Sequence, residues 1–152
     1  MLKTKKLAIS GMIIALYIVL MYFTQGFAFG QYQLRVATGL YAFAYQFPFL
    51  ILPMGIANLL SNTLMGGLGG FDVVGGMLVG ILTTSSIVIL KKFKFPKWVC
   101  VLPIALIPSL CVPIWLSLLL HIPYIVLFLS ILVGQVITAF TVGLVVITMK
   151  VK

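Results

Sequence analysis

Long uninterrupted apolar runs alternate along this chain with very short polar breaks. Residues 7–23, 73–90, 98–120 and 124–149 each meet or approach the ~20 residues that an α-helix, rising ~1.5 Å per residue, needs to cross a bilayer. None of these runs shows the apolar/polar alternation of a barrel strand, so the pattern predicts helices. The stretch 35–65 is harder to divide, because Pro48 and Pro53 interrupt it. As one helix it is too long and carries two prolines near its middle. As two helices, 35–47 and 49–65, it places Pro48 at a tight turn, where its missing N–H costs little.

Composition explains why these runs belong in lipid. Of the 152 residues, 63% are hydrophobic and 7% charged, against ~45–50% and ~25% in soluble domains. So short a chain cannot bury that much apolar surface in a water-soluble core, and in lipid a helix satisfies its own backbone. Charge placement then fixes the pass number. The formal charge is +9, and nine of the ten basic residues fall in three segments: Lys3, Lys5 and Lys6; Lys91, Lys92, Lys94 and Lys97; Lys150 and Lys152. By the positive-inside rule all three are cytoplasmic, so an even number of spans must separate them. Dividing 35–65 in two satisfies this. The expectation is an all-α, six-transmembrane-helix bundle, a single domain over 1–152, with both termini cytoplasmic and with 24–34, 66–71 and 121–123 outside. Anionic lipid head groups account for the basic charge without nucleic acid. The run 7–23 exceeds the ~7–15 residues of a signal-peptide core and no A-x-A site follows, so it reads as the first membrane helix. Pro103, Pro108 and Pro113 should bend or locally unwind the fifth helix.

Chemistry is scarce. Asp72 is the one acidic residue and His121 the one histidine, which excludes paired-carboxylate catalysis and an H-E-x-x-H zinc site. Cys100 and Cys111 lie within an apolar run and suggest neither disulfide nor metal ligation. No G-x-x-x-x-G-K-[ST] loop exists for ATP. The expectation is a protein that is not an enzyme and carries no cofactor or metal. What remains is a set of polar residues in or beside spans: Gln25, Gln31, Gln33, Arg35, Thr38, Asn58, Asn62, Asp72 and Gln135. A charge at the middle of a membrane helix costs ~2.5–3.5 kcal/mol on insertion scales, so Arg35 and Asp72, both near outer helix ends, point to a ligand. A structural ion pair, or Asp72 capping the fourth helix, is the plainer alternative. Asn58 and Asn62 are spaced i, i+4 on one helix face, suited to a ligand or to interhelical hydrogen bonds. Gln135 lies ~18 Å along the last helix and needs a partner there. Gly66–Gly70 reads as a tight outer loop, and small-residue pairs such as Gly11/Ala15 and Gly76/Gly80 permit close helix contact.

In order along the chain, A-I-S-G-M-I-I-A-L-Y-I-V-L, Q-L-R-V-A-T-G-L, I-A-N-L-L and G-L-G-G-F-D-V-V-G-G together resemble the substrate-binding S components of energy-coupling-factor transporters. Among those the chain looks most like the QueT family, assigned to uptake of queuosine precursors, with the similarity strongest over 31–82. The resemblance implies a six-helix binding subunit in the bacterial cytoplasmic membrane, with a pocket facing outward. It further implies docking on a transmembrane coupling (T) subunit driven by two ATPases, through small residues of helix one that map to Gly11 and Ala15. Arg35, Asn58 and Asp72 match the family pattern. Two positions depart from it: R-[IV]-S-E-A-L has Thr38 in place of glutamate, and the Gly-Glu of the last helix is Gly134–Gln135. The implied ligand is a 7-deazaguanine-type base held by Arg35, Thr38, Asn58, Asn62, Asp72 and Gln135, with Tyr32, Tyr41 and Tyr45 as stacking faces. Without the two acids, a ligand less cationic than an aminomethyl base is expected. The alternatives are an S component for another vitamin-like substrate, a self-sufficient channel or uniporter, and a membrane subunit that binds no ligand.

Overall fold

The computed structural model describes residues 2–29, 33–65 and 68–149; Gln31, Tyr32, Gly66, Gly67, Lys150 and Lys152 lie outside them. All regular structure among the described residues is helical: α1 (Lys3–Ala28), a 3-10 helix (Val36–Tyr45), a 3-10 turn (Pro48–Leu50) running into α2 (Ile51–Leu64), α3 (Gly70–Lys92), α4 (Lys97–Cys100), α5 (Leu102–Leu120), α6 (Tyr124–Thr138), a π-helical turn (Ala139–Gly143) and α7 (Leu144–Thr148). Among the described residues, four helical units are long and apolar enough to cross a membrane: Lys3–Ala28, Gly70–Lys92, Lys97–Leu120 and Tyr124–Thr148. Val36–Tyr45 and Pro48–Leu64 are shorter.

The expected boundaries shift where backbone and solvent preferences part company. The first helix runs over Lys3–Ala28 rather than 7–23, because lysines limit how deep a helix lies in lipid but are themselves good helix formers. The fourth segment starts at Gly70 rather than residue 73, which takes Asp72 into its first turn. There Asp72 Oδ2 accepts from the Leu68 N–H at 3.3 Å. Gly69, just ahead of it, has φ +97°, a conformation that favours glycine. In the fifth segment the helix is interrupted at Val101, two residues before Pro103, while Pro108 and Pro113 lie inside a continuous α5.

The second segment departs most from expectation, as its ten residues form a 3-10 helix. That geometry rises ~2.0 Å per residue, so ten residues cover ~20 Å instead of ~15 Å as an α-helix. A run this long in 3-10 form is uncommon, and it survives here inside protein: Ala37, Thr38, Gly39, Leu40, Tyr41, Ala42 and Ala44 are buried. The 3-10 helix lies against the π-helical turn, where a Cβ on Gly39 would fall 2.6 Å from Val142 Cβ. On the other side α2 and α3 pack backbone to backbone. A Cβ on Gly80 would meet Gly55 Cα at 3.2 Å, and one on Gly55 would meet Ile81 at 2.6 Å.

Polar contacts gather the basic segments at one end of the bundle. Lys6 lies 5.8 Å from the Phe49 ring centroid and Lys91 lies 4.8 Å from that of Tyr45. Lys91 also donates to the Tyr45 carbonyl at 2.6 Å. Gln46 donates to the carbonyls of Val146 and Met149 at 2.9 and 2.7 Å. The start of α1, the turn at 46–50, the end of α3 and the last described residues therefore lie together. Arg35, which donates to the Ala28 carbonyl at 3.2 Å, stands at the other end, with the start of α3.

Candidate functional site

At that opposite end, four segments aim polar side chains at one small cavity. The start of the 3-10 helix supplies Arg35, Thr38 and Tyr41; α2 supplies Asn58; α3 supplies Asp72; and α6 supplies Gln135. Each of these side chains is buried. The cavity measures ≈ 10 Å³, room for about one water molecule. Gly76 and Val79 of α3 and Pro108, Val112 and Trp115 of α5 complete its apolar side.

The helices present these groups for local reasons. Asn58 and Asn62, one turn apart on α2, both face Gly76 of α3: a Cβ there would fall 2.9 Å from Asn58 Oδ1 and 2.6 Å from Asn62 Nδ2. Glycine thus admits both amides between the helices. Asn58 Oδ1 accepts from Arg35 Nη1 at 3.4 Å, while its Nδ2 donates to the Tyr41 hydroxyl at 2.7 Å. The Tyr41 hydroxyl lies 3.3 Å from that of Tyr17 on α1, and the two rings stack with centroids 5.8 Å apart. A hydrogen-bonded chain thereby runs from Arg35 through Asn58 and Tyr41 to the first helix. The Arg35 guanidinium also sits 5.0 Å from the Phe29 ring centroid.

Asp72 is held separately. Trp115 Nε1 donates to its Oδ1 at 3.1 Å, and the Leu68 N–H to its Oδ2. Arg35 and Asp72 line the same cavity, yet among the described residues no ion pair joins them; each is hydrogen-bonded to neutral groups instead. The simple structural ion pair is therefore not the arrangement found. Asp72 does serve the helix start, through Leu68.

The remaining expected residues divide. Thr38 Oγ1 lies 2.8 Å from Gln135 Oε1 and 2.7 Å from the Arg35 carbonyl. A hydroxyl has one proton to donate, so with the Gln135 amide turned over, its NH2 donates to Thr38 and both contacts are satisfied. Thr38 and Gln135, 97 positions apart in the chain, thus touch one another. Asn62 donates to the Asp72 carbonyl at 3.0 Å but does not line the cavity; its Oδ1 is buried without a partner among the described residues. Tyr45 is not a stacking face for this cavity, since it lies at the basic end beneath Lys91. A 3-10 helix turns once in about three residues, so Tyr45 comes more than one turn after Tyr41 and close to the far turn. Tyr32 falls outside the described residues. Gln33 and Trp115 line the cavity and were not expected there. Gln33 stood among the polar residues near Arg35; Trp115 lies in an apolar run where the sequence gives no sign of it.

Gly11 and Ala15 are exposed on α1, and a Cβ on Gly11 would meet nothing within 4 Å. Met12 and Leu16 beside them are exposed as well, and α1 is the least buried of the four long helical units.

No curated protein and no solved structure matches the chain. The family model described as QueT transporter matches residues 7–151, nearly its whole length. With four helices long enough to cross a membrane and a match of that extent, the chain belongs to the QueT transporter family, multi-pass membrane proteins that carry a small-molecule substrate.

Proposed function

We propose that this chain is the substrate-binding S component of an energy-coupling-factor importer in the bacterial cytoplasmic membrane, taking up a 7-deazaguanine-type queuosine precursor. The observation that carries the reading is the convergence of Arg35, Thr38, Tyr41, Asn58, Asp72 and Gln135 on one buried cavity at the end of the bundle away from the lysines. A guanine-like edge offers adjacent N–H donors, which the Asp72 carboxylate accepts together, and a carbonyl oxygen that suits Arg35 or an amide. Tyr41 supplies an aromatic face. Asn62, packed against the cavity-lining Gly76, brings an acceptor that is unpaired among the described residues within reach of a widened site.

Six spans with both termini cytoplasmic fit the gathering of the basic segments at one end, because successive helices then alternate in direction. The outward pocket would lie at the Arg35–Asp72 end. The exposed Gly11–Ala15 face of α1 suits close docking of the T subunit of a module driven by two ATPases.

Binding of queuine, its aminomethyl precursor, guanine and several vitamins to the purified chain tests this reading. A deazaguanine should bind best, and Asp72→Asn should weaken it more than any other single polar change, by ~1.5–3 kcal/mol for a hydrogen bond to a charge. A vitamin binding where no deazaguanine does would reject the substrate. Solute uptake by the chain alone in liposomes would reject the S-component role.

A further inference from the structure

The candidate cavity is far smaller than the ~300–1,000 Å³ of ordinary ligand pockets. At ≈ 10 Å³ it must widen before it can accept a base. Beside it, on the outside of the bundle, lies an apolar groove of ≈ 590 Å³ formed by Gly70, Phe71, Val74, Gly75 and Leu78 of α3 and Trp115 of α5. Among the described residues, Trp115 is the one that borders both spaces. Its ring is seated on α3 at Gly75, where a Cβ would fall 2.9 Å from the indole. The polar bond recorded for its side chain is to Asp72 Oδ1.

We propose that Trp115 is a ligand-displaced latch on the substrate site. In the closed arrangement its indole N–H occupies the Asp72 carboxylate. A ligand with adjacent N–H donors takes that carboxylate, and the ring swings into the groove, so that the space it vacates is added to the cavity. The proposal rests on the substrate-site reading above and adds a residue to it. The exchange leaves no hydrogen bond unmade on Asp72, because a ligand N–H replaces the indole N–H on Oδ1. A ligand that offers Asp72 no N–H donor cannot make the exchange, so the latch selects for the donor edge. The released indole enters an apolar groove, and an amphipathic ring is well suited to the edge of a bilayer.

Trp98 and Trp115 are the two tryptophans, so in a Trp98→Phe background the fluorescence reports on Trp115 alone. The first arm uses no ligand: the protein is placed in vesicles containing brominated lipid, which quenches an indole that faces the acyl chains. A hydrogen bond to a charge weights an equilibrium by about tenfold or more. Asp72→Ala should therefore raise quenching clearly, with Asp72→Asn, which keeps a neutral acceptor, falling between. The second arm titrates 7-deazaguanine. Ligand should raise quenching in the Trp98→Phe protein, and Trp115→Phe should bind about tenfold more tightly, because no latch competes for the carboxylate. Unchanged quenching in Asp72→Ala overturns the latch. So does weaker binding by Trp115→Phe, which would mean that the indole N–H stays on Asp72 in the complex. If quenching responds to Asp72→Ala while no deazaguanine binds any variant, the latch stands and the substrate assignment falls.

Discussion

Replacing Gly76 by alanine should damage the candidate site and the fold together, while the same change at Gly11 should not. A methyl on Gly76 would stand 2.6 Å from Asn62 Nδ2 and 2.9 Å from Asn58 Oδ1, so both amides must move. Overpacking of a closed interface costs ~1–3 kcal/mol. Loss of the Asn62 bond to the Asp72 carbonyl adds ~0.5–1.5 kcal/mol. Against this, alanine exceeds glycine in helix propensity by ~1 kcal/mol. The net is a destabilisation of ~1–3 kcal/mol. At Gly11 a Cβ meets nothing within 4 Å, which leaves only the propensity gain of up to ~1 kcal/mol. The two variants should differ by ~2–4 kcal/mol, and at roughly 2–4 °C per kcal/mol for a chain of this size their Tm values should lie ~5–15 °C apart. Thermal unfolding of the detergent-purified variants measures this directly. Gly76→Ala should also lose ligand affinity, because Asn58 links Arg35 to Tyr41. Melting temperatures that move together in the same direction would refute the close-packing argument.

For topology, single cysteines at Leu68 and His121 should react with an impermeant external thiol reagent and one at Lys94 should not; external labelling at Lys94 would overturn the six-span reading. For docking, Gly11→Trp or Ala15→Trp should abolish uptake by the assembled importer while ligand binding to the isolated chain stays intact, and normal uptake by both would show the docking face to be elsewhere. For ligand charge, Gln135→Glu should shift preference toward the aminomethyl deazaguanine over the unsubstituted base by about tenfold, the scale of one charge-assisted contact. An unchanged ratio would remove Gln135 from the site.

Much of the fold was legible because lipid imposes a coarse rule that length and charge obey. The four long units followed from apolar run length alone, and the gathering of Lys6, Lys91 and the chain's last described residues at one end matches the grouping of the lysines. The 3-10 form of Val36–Tyr45 was not legible. Helix type there is set by how far ten largely buried residues must reach and by the fit of Gly39 against Val142, both tertiary facts. The interruption at Val101 was half legible: the prolines announced irregularity, but Pro108 and Pro113 are carried inside a continuous helix. Trp115 escaped for a related reason. In a soluble protein a buried indole needs a partner and draws notice, whereas in an apolar membrane run it looks like one more hydrophobic residue until Asp72 is found beside it.

The candidate site was legible by elimination, since in so apolar a chain few polar side chains are left to explain. Their pairing was not. Thr38 and Gln135 are 97 positions apart and meet at 2.8 Å, so these two polar side chains occupy one place. Two carboxylates at that separation could not both ionise without a cation between them. Two glutamates at these positions would invite a cationic group. A threonine and an amide instead satisfy each other and bring no charge. The ionisable side chains left around the cavity are then Arg35 and Asp72, apart from the tyrosine hydroxyl, and their formal charges cancel. A neutral ligand with a donor edge for Asp72 and an acceptor for Arg35 fits that balance. A permanently charged one would leave an uncompensated charge in a site where water has little room. The neutral Thr38–Gln135 pair therefore narrows the chemistry of what the proposed site can hold.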